Sequence, residues 1–227
     1  MKRFVFLLLL VQVVGCAEQS PRYLDTIPVF WQTLYPDGGQ GLYCGATFGS
    51  HDRRYNVEHV YPMAWVTRAL RCGDRQACRR NSPRFNTIES DMHNMYPARK
   101  DFNKARGSYP FREIRGERHV EKGCDLEIDH RARVVEPRPA VRGDIARAML
   151  YMADRYDLSI YQRQRRLLEQ WHREDPPDAA ERRRNRLIAE HSGSDIDDVS
   201  NAIEKTGSLI EAIESISKGE RALVALS

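Results

Sequence analysis

No stretch of this chain stays apolar long enough to cross a membrane as a helix. The longest apolar run lies within Phe4–Val14, and a spanning helix needs about 20 residues. A polytopic membrane protein is excluded. Glycine and proline are modest, 14 and 11 of 227 residues, which excludes collagen-like and low-complexity sequence. A large excess of one charge is also missing: 36 Lys and Arg stand against 32 Asp and Glu, a net +4. With 41% hydrophobic residues, wholesale disorder is excluded, and the length suits one domain with a real core and a small appendage. Zinc-type spacing is lacking as well. None of the five Cys forms a CxxC pair, and no two His have the zincin spacing.

What is present begins with an export signal. Lys2 and Arg3 precede the apolar run, and Gly15-Cys16 closes it. This predicts a lipoprotein-type signal peptide over 1–15, with Cys16 as the lipidated first residue and a short linker over 16–23. Ordinary cleavage that discards Cys16 is the alternative. The expected location is the periplasm or an outer-membrane lipid anchor, with secretion as a further outcome. Four Cys then remain, Cys44, Cys72, Cys78 and Cys124. An even number in an oxidising compartment suggests two disulfides. Three pairings are open. Cys72–Cys78, flanking a short Gly-Asp-containing loop, is preferred, which leaves Cys44–Cys124; a zinc site is the weaker reading.

Charge is uneven along the chain. From Ser192 to Ser227 seven acids face three bases, so the body from Ala17 to His191 is the basic part. A basic body fits a polyanion partner, although charged runs are more often solvated helix faces. Coarse patterning predicts an amphipathic helix over Leu24 to Leu34 and a turn at Pro36-Asp37-Gly38-Gly39. A short strand follows at Leu42 to Phe48, then an extended piece from Tyr55 to Val60 stopped by Pro62. Ala64 to Leu70 reads as helix, Arg71 to Phe85 as loop, and Ile88 to Tyr96 as irregular. Pro97 is placed at the first position of a helix running to about Arg106. Leu126 to Asp129 alternates as a strand, ended by Glu136-Pro137-Arg138-Pro139. Three helices follow, over Asp144 to Tyr156, Ser159 to Trp171 and Asp178 to Glu190, their Met and aromatic stripes read as core. An acidic amphipathic helix is predicted over Ser194 to Gly219, expected to dock on its own domain. The domain boundaries are 24–191 for the body and 192–227 for the extension. The fold class is α+β, mainly helical, with a small sheet.

The sharpest local feature is Asn56-Val57-Glu58-His59-Val60-Tyr61-Pro62. In an extended segment, adjacent side chains point to opposite sides, so a carboxylate can hold a metal while the imidazole works as a base. Downstream come Glu89-Ser90-Asp91-Met92-His93-Asn94-Met95-Tyr96-Pro97, then Asn103 and Arg106 on the expected helix. Asn and carboxylate oxygens are hard ligands that suit Mg²⁺. A lone Glu-His pair is more often a surface ion pair, but this chain carries several motifs in order.

Those motifs resemble the bacterial endonuclease I family: Glu58-His59-Val60-Tyr61-Pro62, Asp91 to Met95, and an Asn followed by Arg106-Gly107. Leu42-Tyr43-Cys44-Gly45, the Pro-Arg segment and helix from Glu136 to Met152, and the Trp, Pro and basic-helix order from Trp171 to Ala189 agree, so the resemblance covers about residues 24 to 190. It implies an exported, non-specific, Mg²⁺-dependent nuclease with a ββα-metal core, acting on DNA with RNA as a second substrate. One metal ion is implied, with Mn²⁺ or Ca²⁺ as substitutes in binding. Carried over, His59 is the general base, Glu58 and Asn103 ligate the metal, and Arg75 binds phosphate. Arg71, Arg79 and Arg80 are neighbouring candidates for that last role. His93 and Asn94 are taken as structural. Arg106, Arg142 and Arg147 are candidate nucleic-acid contacts, with helix capping and pairing the equal alternative for the last two. A monomer is expected.

Two departures stand out. The family's second Cys after Tyr-Cys-Gly is Ala46 here, and the family's closing Gly-Asn-Arg-Asn-Pro-like segment is replaced by His191-Ser192-Gly193-Ser194. The rival readings are a catalytically silent envelope lipoprotein that binds nucleic acid or another polyanion, and a phosphoesterase for a small substrate.

Overall fold

Two antiparallel strands, β3 (Tyr55–His59) and β4 (Met95–Arg99), form the hairpin-like pair around which the candidate site is built. Their register sets Glu58 opposite Tyr96 and His59 opposite Met95. The computed structural model describes residues 21–116, 120, 121 and 123–192. The predicted signal, Cys16 and the acidic extension after Ser192 lie outside the described residues.

The chain enters through α1 (Tyr23–Val29), which passes into a wider helical turn at Phe30–Leu34. No residue of α1 is buried, whereas Phe30 and Leu34 are. The predicted helix over Leu24 to Leu34 is therefore anchored by its second half. A small hairpin follows, β1 (Gly38–Gln40) with β2 (Thr47–Gly49). Gly38 sits at φ +96°, and a Cβ there would lie 1.9 Å from the Phe48 carbonyl oxygen, so only glycine fits. The strand expected over Leu42 to Phe48 is shorter. Its first half is a turn, closed by the Gly45 amide donating to Gly41 at 2.8 Å with Gly45 at φ +65°.

Helices α2 (Met63–Leu70), α3 (Arg75–Asn81) and α4 (Pro83–Glu89) come next. The last two correct the loop expected over Arg71 to Phe85. Each has a side-chain cap: Asp74 accepts from the Ala77 amide and Ser82 from the Phe85 amide, with Pro83 in the first turn of α4. The Cys72–Cys78 disulfide ties the entry of α3 to its own body. A short 3₁₀ turn at Met92–Asn94 leads into β4.

Pro97 does not start a helix. It lies inside β4 opposite Val57, and its carbonyl accepts from the Leu42 amide at 2.8 Å. The helix α5 begins later, at Lys100, and ends at Arg106. Strands β5 (Leu126–Asp129) and β6 (Val134–Pro137) pair antiparallel, so Glu136 and Pro137 belong to a strand rather than only ending one. Cys44–Cys124 bridges this hairpin to the early turn across a sequence separation of 80.

Helices α6 (Arg142–Tyr156), α7 (Gln162–Glu174) and α8 (Ala179–Ser192) complete the fold. The main core gathers Ile145, Met149 and Met152 of α6 with Leu168 and Trp171 of α7, as their helical spacing predicts. At the start of α6, a Cβ on Gly143 would lie 2.0 Å from the Asp175 carbonyl oxygen, so glycine lets the α7–α8 connection close over the helix. From α8, the Arg184 guanidinium donates to the Met92 and Met95 carbonyls and stacks 4.1 Å from the Tyr96 ring centroid. The architecture is α+β, mainly helical with small antiparallel sheets. Among the described residues no helix is long and apolar enough to cross a membrane.

Candidate functional site

Glu58 and His59 end β3, and both are buried, 3% and 7% exposed. The Glu58 carboxylate takes two side-chain hydrogen bonds on one oxygen, from the Tyr43 hydroxyl to Oε1 at 2.5 Å and from Arg106 Nη1 to the same atom at 2.8 Å, and the His59 backbone bonds the carboxylate as well. No side chain among the described residues bonds the other oxygen. Burial pushes the Glu58 carboxyl up from its ordinary range, against the pull of the Arg106 charge and the Tyr43 hydrogen bond.

Arg106, expected as a nucleic-acid contact, points into the protein in this structure. It is 0% exposed. Besides Glu58 it serves the His59 carbonyl at 3.1 Å and the Val60 carbonyl at 2.7 Å, and it stacks over Phe111 at 4.6 Å. A basic residue at a helix end reads as solvent-facing in sequence; here the chain turns it inward to satisfy the end of β3.

His59 is oriented from α4. Its Nε2 lies 2.9 Å from the Glu89 carbonyl oxygen. A carbonyl can only accept, so Nε2 carries the proton and Nδ1 is left with the lone pair. Burial, then the Arg75 charge, depresses the imidazole from 6.5 to about 4, so at neutral pH it is an uncharged base. Glu89 has a second task. Its carboxylate, 0% exposed, accepts from Arg75 Nε at 2.5 Å and from Arg79 Nε and Nη2 at 2.7 and 2.9 Å. One residue thus holds the imidazole with its main chain and two guanidinium groups with its side chain. Arg75 remains 43% exposed at its side chain. Tyr23 of α1 lies beside this group, 5.2 Å from the His59 ring centroid, with the Arg75 and Arg79 guanidinium carbons 5.4 and 5.0 Å from its own.

Asn103 comes to the same strand from α5. Its Nδ2 donates to the Asn56 side chain at 3.0 Å and to the Val57 carbonyl at 3.2 Å. With the nitrogen so engaged, the amide oxygen has no bonding partner among the described residues. No cluster of three or more His, Cys, Asp or Glu that could grip a metal occurs among the described residues. Two hard oxygens, one from Glu58 and one from Asn103, nevertheless fit an ion that keeps most of its shell as water and phosphate, as Mg²⁺ does.

Of two further arginines, one is also turned inward and the other is half-buried. Arg147 is 6% exposed. It donates to both carboxylate oxygens of Glu181, through Nε at 2.6 Å, and to the Asp175 carbonyl at 2.6 Å. It therefore pins α6 to α8. Arg142 donates to Glu136 at 2.5 Å and to the Pro137 carbonyl at 3.2 Å, with its guanidinium 5.3 Å from the Trp171 ring centroid. His93 pairs with Asp91 at 2.9 Å, and Asn94 bonds the Tyr61 amide and carbonyl at 2.6 and 3.1 Å, both inside the structure. Sequence reasoning passed over Tyr43, Glu89 and Tyr23. Tyr43 and Glu89 each stood within a quoted stretch without a role; the importance of Glu89 comes from partners in two other elements, β3 and α3.

The Endonuclease I family profile matches residues 32–196. A periplasmic deoxyribonuclease of Aeromonas hydrophila is 39% identical over 145 residues, covering 62% of this chain and 61% of that protein. Endonuclease-1 of Buchnera aphidicola from Acyrthosiphon pisum is 29% identical over 144 residues, 62% of this chain and 57% of that one. An extracellular ribonuclease of Bacillus amyloliquefaciens is 33% identical over 118 residues, 44% of this chain and 39% of that one. The chain spans less than two thirds of the length of these relatives. With a profile match across most of its length, and the Glu-His strand, the later Asn and the ordered helices in place, this chain belongs to the endonuclease I family.

Proposed function

We propose that this protein is an exported, Mg²⁺-dependent, non-specific endonuclease that hydrolyses phosphodiester bonds of DNA, with RNA as a second substrate. The observation that carries the reading is the convergence on one strand end. Glu58 and His59 are adjacent on β3, Asn103 is tied to the same strand at Asn56 and Val57, and Glu89 links His59 to Arg75. Relatives named as a periplasmic deoxyribonuclease and an extracellular ribonuclease support the substrate class and the export.

The roles follow from the bonding. Neutral His59, its Nε2 held by Glu89, presents the Nδ1 lone pair to take a proton from the attacking water. Arg75, half-exposed and aimed by Glu89, offers a fork to a non-bridging phosphate oxygen. Glu58 and Asn103 would hold the metal, with Tyr43 and Arg106 fixing the carboxylate so that its other oxygen is presented. A bound Mg²⁺ supplies charge relief at the phosphate and a polarised water beside the leaving oxygen. Attack by water with departure of the 3′ oxygen leaves 5′-phosphate and 3′-hydroxyl ends. Contacts to phosphate carry no base information, so sequence preference is slight, and binding weakens steeply with salt.

Plasmid digestion with Mg²⁺, repeated with EDTA, tests this. Rapid cleavage abolished by EDTA is expected, with His59→Ala slower by at least about a hundredfold while folded. A polyanion-binding lipoprotein without activity gives no cleavage at all, and a small-substrate phosphoesterase spares the plasmid. Glu58→Gln and Asn103→Ala are expected to raise the Mg²⁺ concentration needed for half-maximal rate; unchanged titrations would remove them as ligands. A lipid anchor on Cys16 and a monomeric state belong to the same proposal. Cys16→Ser is expected to move the protein from membrane to soluble fractions, and retention on the membrane would defeat the anchor.

A further inference from the structure

Alongside β3 the surface opens into a groove of about 900 Å³. Aromatic rings line much of it: Tyr23, Trp31, Tyr35, Phe48 and Tyr55. Phe48 and Tyr55, each 7% exposed, form a floor with centroids 4.5 Å apart. Trp31 stands edge-on to Phe48 at 6.1 Å and 89°, and Tyr35 lies 6.0 Å from the same ring. Trp31 and Tyr35 are only half-buried. The rim adds exposed His51, Arg53 and Lys100. Asp52, the carboxylate beside them, is engaged by Arg54 at 2.7 Å.

The groove is continuous with the candidate catalytic strand. Asn56 and Val57 line it, and these are the two residues that hold Asn103. Tyr23 lines it too and touches His59. A polynucleotide whose phosphate lies at the end of β3 therefore has its next residues beside aromatic rings under a cationic rim. Aromatic faces plus positive charge are the chemistry that holds an unpaired strand, since every base has a π-face and every linkage an anion. Bases inside a duplex are stacked on one another and have no free face for Trp31.

We propose that this groove is a base-binding subsite for an unpaired stretch of the strand flanking the scissile phosphate, so that single-stranded or frayed nucleic acid is the favoured substrate. The proposal rests on the nuclease reading above. Trp31 touches none of the residues assigned to the chemistry, which makes it the probe.

The test compares kcat/KM of wild type, Trp31→Phe and Trp31→Ala on a fluorescent single-stranded oligonucleotide and on its duplex, in Mg²⁺. Trp31→Ala is expected to lose about tenfold on the single strand, given that one stacked base contributes ~1–3 kcal/mol. Duplex cleavage stays near wild type, and Trp31→Phe keeps most of the single-strand rate. Equal loss on both substrates, or loss on neither, overturns the subsite. If wild type cuts neither oligonucleotide nor plasmid, the nuclease reading fails instead. Should Trp31→Ala not fold, His59→Ala alone and combined with Trp31→Phe decides. Oligothymidylate is expected to quench tryptophan fluorescence in the first and markedly less in the second. Equal quenching in both overturns the proposal.

Discussion

Arg106→Ala separates two incompatible accounts of one residue. As a phosphate ligand, Arg106 would be dispensable for folding. In the structure it is fully buried and donates to Glu58 Oε1 and to the carbonyls of His59 and Val60 at 2.8, 3.1 and 2.7 Å. Removal leaves a buried carboxylate whose described side-chain partner is Tyr43 alone, and takes the guanidinium donor from two main-chain carbonyls. Breaking a buried pair by deleting one partner costs roughly 3–5 kcal/mol, a large part of the ~5–15 kcal/mol that holds a typical domain folded. At about 2–4 °C per kcal/mol for a chain of this size, the melting temperature falls by roughly 10 °C. Urea and thermal unfolding followed by circular dichroism without metal measure this directly. Anisotropy with labelled DNA across salt concentrations reads the other account, in which the slope of log K against log salt drops by about 0.9 for each phosphate that is no longer neutralised. A variant within ~0.5 kcal/mol of wild type with a reduced salt slope would refute the structural role.

What sequence could and could not supply follows from the same residue. The Glu58-His59 strand, the Asn103 position and the stripes of α6 and α7 were legible because each is a local pattern of residue types at fixed spacing. Burial is not local. Arg106, Arg142 and Arg147 carry the same charge as any surface arginine, and only the carboxylates and carbonyls brought to them from other elements decide their direction. The Arg71 to Phe85 region was misread for a different reason. Its basic, Cys- and Gly-containing composition outweighed Asp74 and Ser82-Pro83, which are helix-start signals and do cap α3 and α4. Pro97 failed likewise, because a proline can stand in a two-stranded edge as well as at a helix start.

Three further outcomes are expected. Glu89→Gln weakens the hold on Arg75 and Arg79 while the main-chain bond to His59 persists, so the cleavage rate falls by an order of magnitude, about 1.4 kcal/mol; an unaltered rate would detach the arginines from the reaction. His59, depressed to about 4 from 6.5, takes up its proton on unfolding, so its contribution is present above pH 6.5 and lost as pH falls towards 4. Between pH 7 and 5 this amounts to about 2 kcal/mol. Asp144, pushed up to about 7 by burial and then by Glu181, acts in the opposite direction over that range. The test is therefore the difference between wild type and His59→Gln in urea, and parallel pH curves would contradict the shift. Replacing Cys44 and Cys124 by Ser opens a closure across 80 residues and is expected to cost about 4.5 kcal/mol, against about 2 kcal/mol for Cys72 and Cys78; equal losses in denaturant would contradict the loop-entropy origin.

Arg184 gives the fold an order in time. The turn that feeds β4 leaves the Met92 and Met95 carbonyls to a guanidinium that lies on the final described helix. A polypeptide made from its N-terminus has β3 and β4 long before that side chain exists. The Met92 and Met95 carbonyls therefore gain this donor only once the last described helix has been made and has docked.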